Sequence, residues 1–256
     1  MDETITIEEV SQGAPRALGL LDNEQVVVGR EPTNGIAIPG TGVSRQHGMF
    51  ERFGSNWFFK DLESTNGSWL NGVSLLPKRR YLVRSGDIVQ MGDAAIRMQP
   101  SLTSTSSGNF GAGTLSRVLI VFNRGDLLGE YSVPQYGRAL AVGGQKADLK
   151  LEVDMEELPS LVVEGRGEHV SAFSISPAGN FLVDGEQVKA PYTLHDRQEI
   201  SIAHYTIVFS DPFIGGSNPN SNVSQMQKWN EPQQSERPVS YTHLRAHETK
   251  ANLVCR

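Results

Sequence analysis

Four short motifs in the first part of the chain carry side chains able to hold a ligand. Gly29-Arg30 ends an apolar run and Ser44-Arg45-Gln46-His47 opens the next; Ser64-Thr65-Asn66-Gly67 forms a polar stretch, and Asn71-Gly72 follows Ser68-Trp69-Leu70. Guanidinium, hydroxyl and carboxamide groups donate hydrogen bonds, so this set suits grasping an anion more than breaking a bond. His47 as a catalytic base has no nucleophile at a recognisable spacing. The chain also lacks a Gly-x-Ser-x-Gly elbow, a His-Glu-x-x-His helix, a Walker loop and a dinucleotide fingerprint in a βαβ context. A binding protein is expected, not an enzyme, with no cofactor and no metal site. Each motif alone is weak, because Gly-Arg is common and Asn-Gly is usually turn chemistry. The signal is their order between Gly29 and Gly72.

Composition narrows the ligand. The 256 residues suit two domains of about 100 residues each plus connecting sequence. A formal net charge of -6 gives no broad positive field, so any anion must be held by a local cationic site, and generic binding to nucleic acid or an anionic membrane is disfavoured. The acidic start, Met1-Asp2-Glu3-Thr4, lacks a basic segment and a long apolar one, and no uninterrupted apolar run is long enough to span a bilayer. A cytoplasmic protein with no membrane partner and no small-molecule substrate is expected. The single cysteine, Cys255, cannot build a disulfide framework or a cysteine-rich metal site.

Strands must position these motifs. Short β-branched or aromatic runs such as Val26-Val27-Val28, Trp57-Phe58-Phe59 and Ile88-Val89-Gln90-Met91 are separated by Gly, Asn, Asp and Pro, with no sustained helical period. The pattern predicts an all-β fold, an antiparallel sandwich, with Asn71-Gly72 as a tight hairpin turn. Trp57, Phe58, Phe59 and Trp69 have the spacing of a sandwich core. Because strand side chains alternate, Ser44 and His47 cannot share a face of one extended run; Ser44 is expected to point to ligand and His47 inward.

In order and spacing the four motifs resemble the forkhead-associated (FHA) family, over about residues 4 to 99. The family fold is a β-sandwich whose loops at one end bind phosphothreonine peptides. The resemblance implies a phosphopeptide site of Arg30, Ser44, Arg45, Thr65, Asn66 and Asn71, supported structurally by Gly29, His47 and Gly67. Phosphothreonine carries a charge of about -1.5 to -2 and three acceptor oxygens, which a forked guanidinium such as Arg30 matches. Ser44 and Thr65 would add hydroxyl donors, and Arg45 a second charge or a peptide contact. Asn66 would clamp the peptide backbone, although Asn66-Gly67 also reads as a plain turn. Asn71 would reach residues beyond the phosphothreonine, but its hairpin duty explains it equally well. His47 would brace the loops through hydrogen bonds.

The second half repeats the layout. Gly143 matches Gly29 at a shift of 114, Asp184-Gly185 matches Asn71-Gly72 at 113, and Leu194 and Ile200 match Leu82 and Ile88 at 112. The chain is therefore divided into an FHA domain at 1–100, a Ser/Thr/Gly-rich linker at 101–115, a degenerate FHA-like sandwich at 116–212 and a disordered tail at 213–256. The last stretch, 239–256, reads as non-native read-through; His243, His247 and Cys255 within it only imitate part of a zinc site. Degeneracy is read from Gly144 in place of Arg30 and from Ala178 and Gly179 in place of Thr65 and Asn66, with neither Arg nor His between Glu157 and Val162. Arg138, Lys146 and Arg166 read as solvated surface. The expected function is a non-enzymatic adaptor that binds threonine-phosphorylated proteins downstream of Ser/Thr kinases; the alternative is a phosphorylation-independent scaffold.

Overall fold

The computed structural model describes residues 5–10, 14–100, 116–135, 138–152, 160–174 and 181–213. Segments 101–115, 153–159, 175–180 and 214–256 lie outside the described residues, and with them the linker, Glu157, Ala178, Gly179 and the tail. All described secondary structure is β. No helix among these residues is long and apolar enough to cross a membrane.

The first half forms β1 (Ile5–Glu9), β2 (Arg16–Leu21), β3 (Gln25–Gly29), β4 (Ile36–Ala37), β5 (Gly48–Phe53), β6 (Asn56–Asp61), β7 (Ser68–Leu70), β8 (Val73–Ser74), β9 (Arg80–Val83), β10 (Ile88–Met91) and β11 (Ala94–Pro100). The second forms β12 (Val118–Asn123), β13 (Asp126–Ser132), β14 (Ala139–Val142), β15 (Leu161–Arg166), β16 (His169–Phe173), β17 (Leu182–Val183), β18 (Glu186–Gln187), β19 (Tyr192–Leu194), β20 (Glu199–Ile202) and β21 (Tyr205–Ser210). One sheet of the first half runs β2-β1-β11-β10-β7-β8 and the other β4-β3-β5-β6-β9. The second half repeats this order in β13-β12-β21-β20-β17-β18 and β14-β15-β16-β19, except that β4 has no counterpart strand and only an isolated bridge at Leu149 stands in its place. Between these strands pairing is antiparallel except where β4 runs parallel to β3, at Val28 with Ile36 and Gly29 with Ala37; two isolated bridges of the second half, Val142 with Leu149 and Gln135 with Gly165, are also parallel.

Between the two sheets of each half lies a separate apolar core. Ile7, Val28, Ile36, Phe50, Phe59, Val89 and Met91 fill the first, and Leu119, Val121, Leu161, Val163, Ile200 and Phe209 the second. The hairpin turn takes the expected form: Asn71 and Gly72 both have positive φ, 48° and 88°, as do Asp184 and Gly185 at 53° and 86°.

Register fixes the correspondence between the halves and corrects part of it. The parallel bridge of Val142 with Leu149 repeats that of Val28 with Ile36, so Gly143 follows Val142 as Gly29 follows Val28 and Gly144 stands at the place of Arg30. Gly48 pairs with β3 as Leu161 pairs with β14, which puts Ser160 where the first half has His47. However, Leu194 faces Val170 as Val83 faces Trp57, and Ile200 faces Val183 as Val89 faces Leu70. The counterparts of Leu194 and Ile200 are therefore Val83 and Val89, a shift of 111, and not Leu82 and Ile88.

The displaced residue, Leu82, belongs to a third apolar cluster. With Phe58 it packs against Ile120, Phe122 and Val208, with Phe53, Val118 and Leu127 at the margin, so the two sandwiches meet in an apolar seam. Trp57 and Phe59 point into the first core, as the sequence predicts, whereas Phe58 between them points into the seam. Trp69 is only half-buried.

Candidate functional site

The site is built where β3 stops. There the chain leaves the sheet at Gly29, where any side chain would collide with the next loop: an added Cβ would lie 2.4 Å from the Arg45 carbonyl oxygen and 2.8 Å from the His47 nitrogen. Both are backbone atoms and cannot swing aside. That close approach lets the Arg30 N–H donate to the Ser44 carbonyl (2.9 Å) and the Glu31 N–H to the Arg45 carbonyl (3.1 Å). Gly29→Ala is expected to force the loops apart and to destabilise the protein by about 1 to 3 kcal/mol. A thermal melt reads this directly, and an unchanged midpoint would contradict the steric argument.

His47 is fully buried behind these loops and ties them together. Its Nδ1 accepts from the Ser44 N–H at 3.0 Å, and its Nε2 lies 3.1 Å from the Gly67 carbonyl oxygen. An acceptor at Nδ1 and an acceptor facing Nε2 together assign the neutral tautomer with hydrogen on Nε2. Burial holds the imidazole pKa below its ordinary value, overcoming the Gly67 carbonyl and Asp61, which favour the charged form. Gly67 is in the left-handed region at φ 77°, which aims its carbonyl at the ring.

Asp61 is a member of this network that the motifs did not include. Nearly inaccessible, it accepts from the Ser64 N–H (2.8 Å), the Ser64 hydroxyl (2.7 Å) and the Ser68 hydroxyl, and it stands 3.9 Å from His47 Nε2. Burial pushes its carboxyl up, but those donors and His47 outweigh burial and keep it below the usual carboxylate range. The Asp-x-x-Ser spacing, in which a carboxylate receives the N–H three residues on, is the sequence signal for it.

Ser44 and Thr65 meet at the front. The Thr65 N–H donates to Ser44 Oγ at 3.0 Å, and the two side-chain oxygens are 3.4 Å apart. Beside them opens a groove of ≈ 540 Å³ lined by Arg30, Glu31, Ser44, Arg45, Gln46 and Thr65. Arg30 and Arg45 are exposed. Among the described residues no carboxylate forms an ion pair with either guanidinium, although Arg79, Arg80, Arg84, Arg117 and Arg197 are all paired. Two bare cations beside two hydroxyls form a local positive site on a chain of net charge -6.

Two of the expected residues lie outside this lining. Asn66 donates from Nδ2 to the Gly42 carbonyl at 2.8 Å, while the Gly42 N–H donates to Asp93 at 3.1 Å, so the loops are cross-braced from the turn after β10. Nothing in the sequence links Asp93 to a loop that distant. Asn71 uses both ends of its carboxamide within the fold, donating to Asp87 (2.8 Å) and accepting from the Ile88 N–H (2.9 Å). In the second half Arg166 is exposed and paired with Glu164 at 2.9 Å. No group of three or more His, Cys, Asp or Glu among the described residues is placed to hold a metal ion.

The first sandwich thus carries a cationic, hydroxyl-lined groove at its loops. Residues 26–92 match the family model described as FHA domain. The first sandwich is a forkhead-associated domain. Among curated proteins, the oxoglutarate dehydrogenase inhibitor of Corynebacterium jeikeium is 36% identical over 73 residues, 28% of this chain and 49% of that protein. The FHA domain-containing protein FhaB of Mycobacterium tuberculosis is 30% identical over 92 residues, 36% of this chain and 58% of that protein. The chain thus spans about half the length of these relatives. One solved structure, from a structural and functional analysis of phosphothreonine-dependent FHA domain interactions, is 26% identical with a TM-score of 0.35, covering 38% of this chain and 97% of that one.

Proposed function

We propose that the loop end of the first sandwich binds threonine-phosphorylated peptide segments, and that the chain is a non-enzymatic cytoplasmic adaptor recruiting substrates of Ser/Thr protein kinases. The observation that carries this reading is the pair of uncommitted guanidiniums, Arg30 and Arg45, bordering the groove that holds the Ser44 and Thr65 hydroxyls. A phosphate monoester supplies the missing counter-charge and enough acceptor oxygens to engage several of these donors at once. Arg30 is the principal cation, and Ser44 and Thr65 give neutral hydrogen bonds. Arg45 contributes the second charge. Asn66 and His47 hold the loops at the spacing the phosphate needs, and Asn71 orients the neighbouring turn. The match of residues 26–92 to the FHA domain supports the same reading.

The second sandwich, on this proposal, is a degenerate copy that has lost its reading face. Gly144 offers no cation where Arg30 stands, and Ser160 is too short to span two loops as His47 does. Phosphate would have to surrender its hydration for backbone contacts alone, which is unfavourable.

Phosphatase treatment of a partner-containing extract separates this function from a phosphorylation-independent scaffold. The full chain, used as bait, is expected to lose its partners after treatment. Retention of the same partners would favour the scaffold.

A further inference from the structure

A face of the first sandwich that the peptide site does not use is already occupied. Along β6, Trp57 and Phe59 turn inward and Phe58 turns out; along β12, Leu119 and Val121 turn inward while Ile120 and Phe122 turn out. The outward residues of both strands are themselves buried, Phe58 at 0% exposed and Phe122 at 2%. Phe53, Phe58 and Phe122 pack edge to face, with centroids 5.2 to 5.8 Å apart. Sheets with water on one side alternate apolar and polar residues; these two strands are apolar on both faces because each covers the other.

Charges surround the seam with complementary sign. The first sandwich contributes Arg84, forked onto Asp196 at 2.5 and 2.8 Å, and Arg79, which pairs with Asp184 at 2.7 Å and Glu199 at 3.0 Å. Arg80 lies over the Phe53 and Phe122 rings and donates to the Gly125 carbonyl at 3.1 Å. In the opposite sense, Arg197 of the second sandwich pairs with Asp87 at 2.9 Å, the same carboxylate that Asn71 engages. Near the β5–β6 turn, Asn56 donates to Glu130 at 2.7 Å. Geometry of this kind fixes one register, while the apolar seam supplies the attraction.

We infer that the second sandwich is the permanently docked partner of the first, occupying the outer face of β5, β6 and β9 so that the two behave as one body and present a single ligand-binding end. This surface is distinct from the peptide groove and stands whether or not that groove reads phosphate. It gives the degenerate repeat a use that needs none of the residues it lacks.

The test uses the full chain with a protease site inserted within 101–115. After cleavage the two fragments are expected to co-elute on size exclusion as one species. Ile120→Ser together with Phe122→Ser, which alter the seam and neither core, should make the cut fragments elute separately while circular dichroism remains that of a β protein. Separation of the fragments without those substitutions overturns the inference. So does co-elution of the cut double variant, because something other than the seam would then join them. Calorimetry of the uncut protein gives an independent reading: one transition is expected, dividing into two in the double variant, and two transitions in the unaltered protein would contradict a single body.

Discussion

Arg30→Ala is expected to weaken phosphothreonine-peptide binding at least about tenfold and to leave the melting temperature where it was. The side chain is exposed and makes no ion pair with any described residue, so its removal costs the fold little. What it removes is a charge-assisted contact to phosphate, worth about 1.5 to 3 kcal/mol, or roughly one to two orders of magnitude in affinity. Arg30→Lys should recover only part of the loss, since an ammonium keeps the charge but not the fork. Calorimetric titration of the folded variant decides the matter. Affinity equal to that of the unaltered protein would remove Arg30 from the site.

His47→Ala should fail in the opposite way, by losing stability first. The substitution strands the Ser44 N–H and the Gly67 carbonyl, which the ring now joins, and leaves a cavity behind the loops. A stranded buried group costs about 1 to 3 kcal/mol, so a loss near 3 kcal/mol and a fall of roughly 10 °C in Tm are expected, with weaker binding as a consequence. An unchanged Tm with abolished binding would instead make His47 a direct contact.

The same residue gives the stability a pH dependence whose sign is fixed. Burial depresses the folded-state pKa of His47 below its ordinary value of about 6.5. The unfolded chain then takes up a proton before the folded chain does, so acid favours unfolding. This contribution is fully present above about pH 6.5 and is lost as pH falls from there towards the folded-state value. Asp61, also depressed, adds a loss of the same sign at lower pH. In His47→Ala the upper part of the decline should disappear and the Asp61 part should persist.

Much of the site was legible because its parts lie within short local motifs. Arg30 follows a strand end, and Ser44 and His47 divide between outside and inside as expected, although both lie in the loop before β5 and the division comes from the loop's hydrogen bonds and not from strand alternation. Asn71-Gly72 adopts the positive φ values that its residue types accept at little cost. Asn71 also shows where residue type stops being informative. A carboxamide in a turn can face ligand or backbone, and the choice depends on Asp87 and Ile88, which only folding brings near. The Asp93 brace behind Gly42 is hidden for the same reason.

The seam was not legible in the sequence, and Phe58 was read there as a core residue, for a different cause. Trp57-Phe58-Phe59 is apolar without interruption, and such a run is compatible with burial on both faces, but it does not reveal what covers the second face. Matching Leu194 and Ile200 to like residues at a shift of 112 gave Leu82 and Ile88 the places that register gives to Val83 and Val89. A one-residue slip reverses which face a side chain occupies. Leu82 is conspicuous in sequence because it is large; it packs against the neighbouring sandwich, while the smaller Val83 points into its own core.

The central claim is that the uncommitted cations of the first sandwich await a phosphate on threonine. Its most direct test is an isothermal titration of the full chain with two peptides of identical sequence, one carrying phosphothreonine and the other threonine, selected from an oriented phosphothreonine library. The phosphorylated peptide is expected to bind with one site per chain at roughly micromolar Kd, about -8 kcal/mol, and the unmodified peptide to give far weaker binding. Equal heats and equal affinity for the two peptides would contradict it.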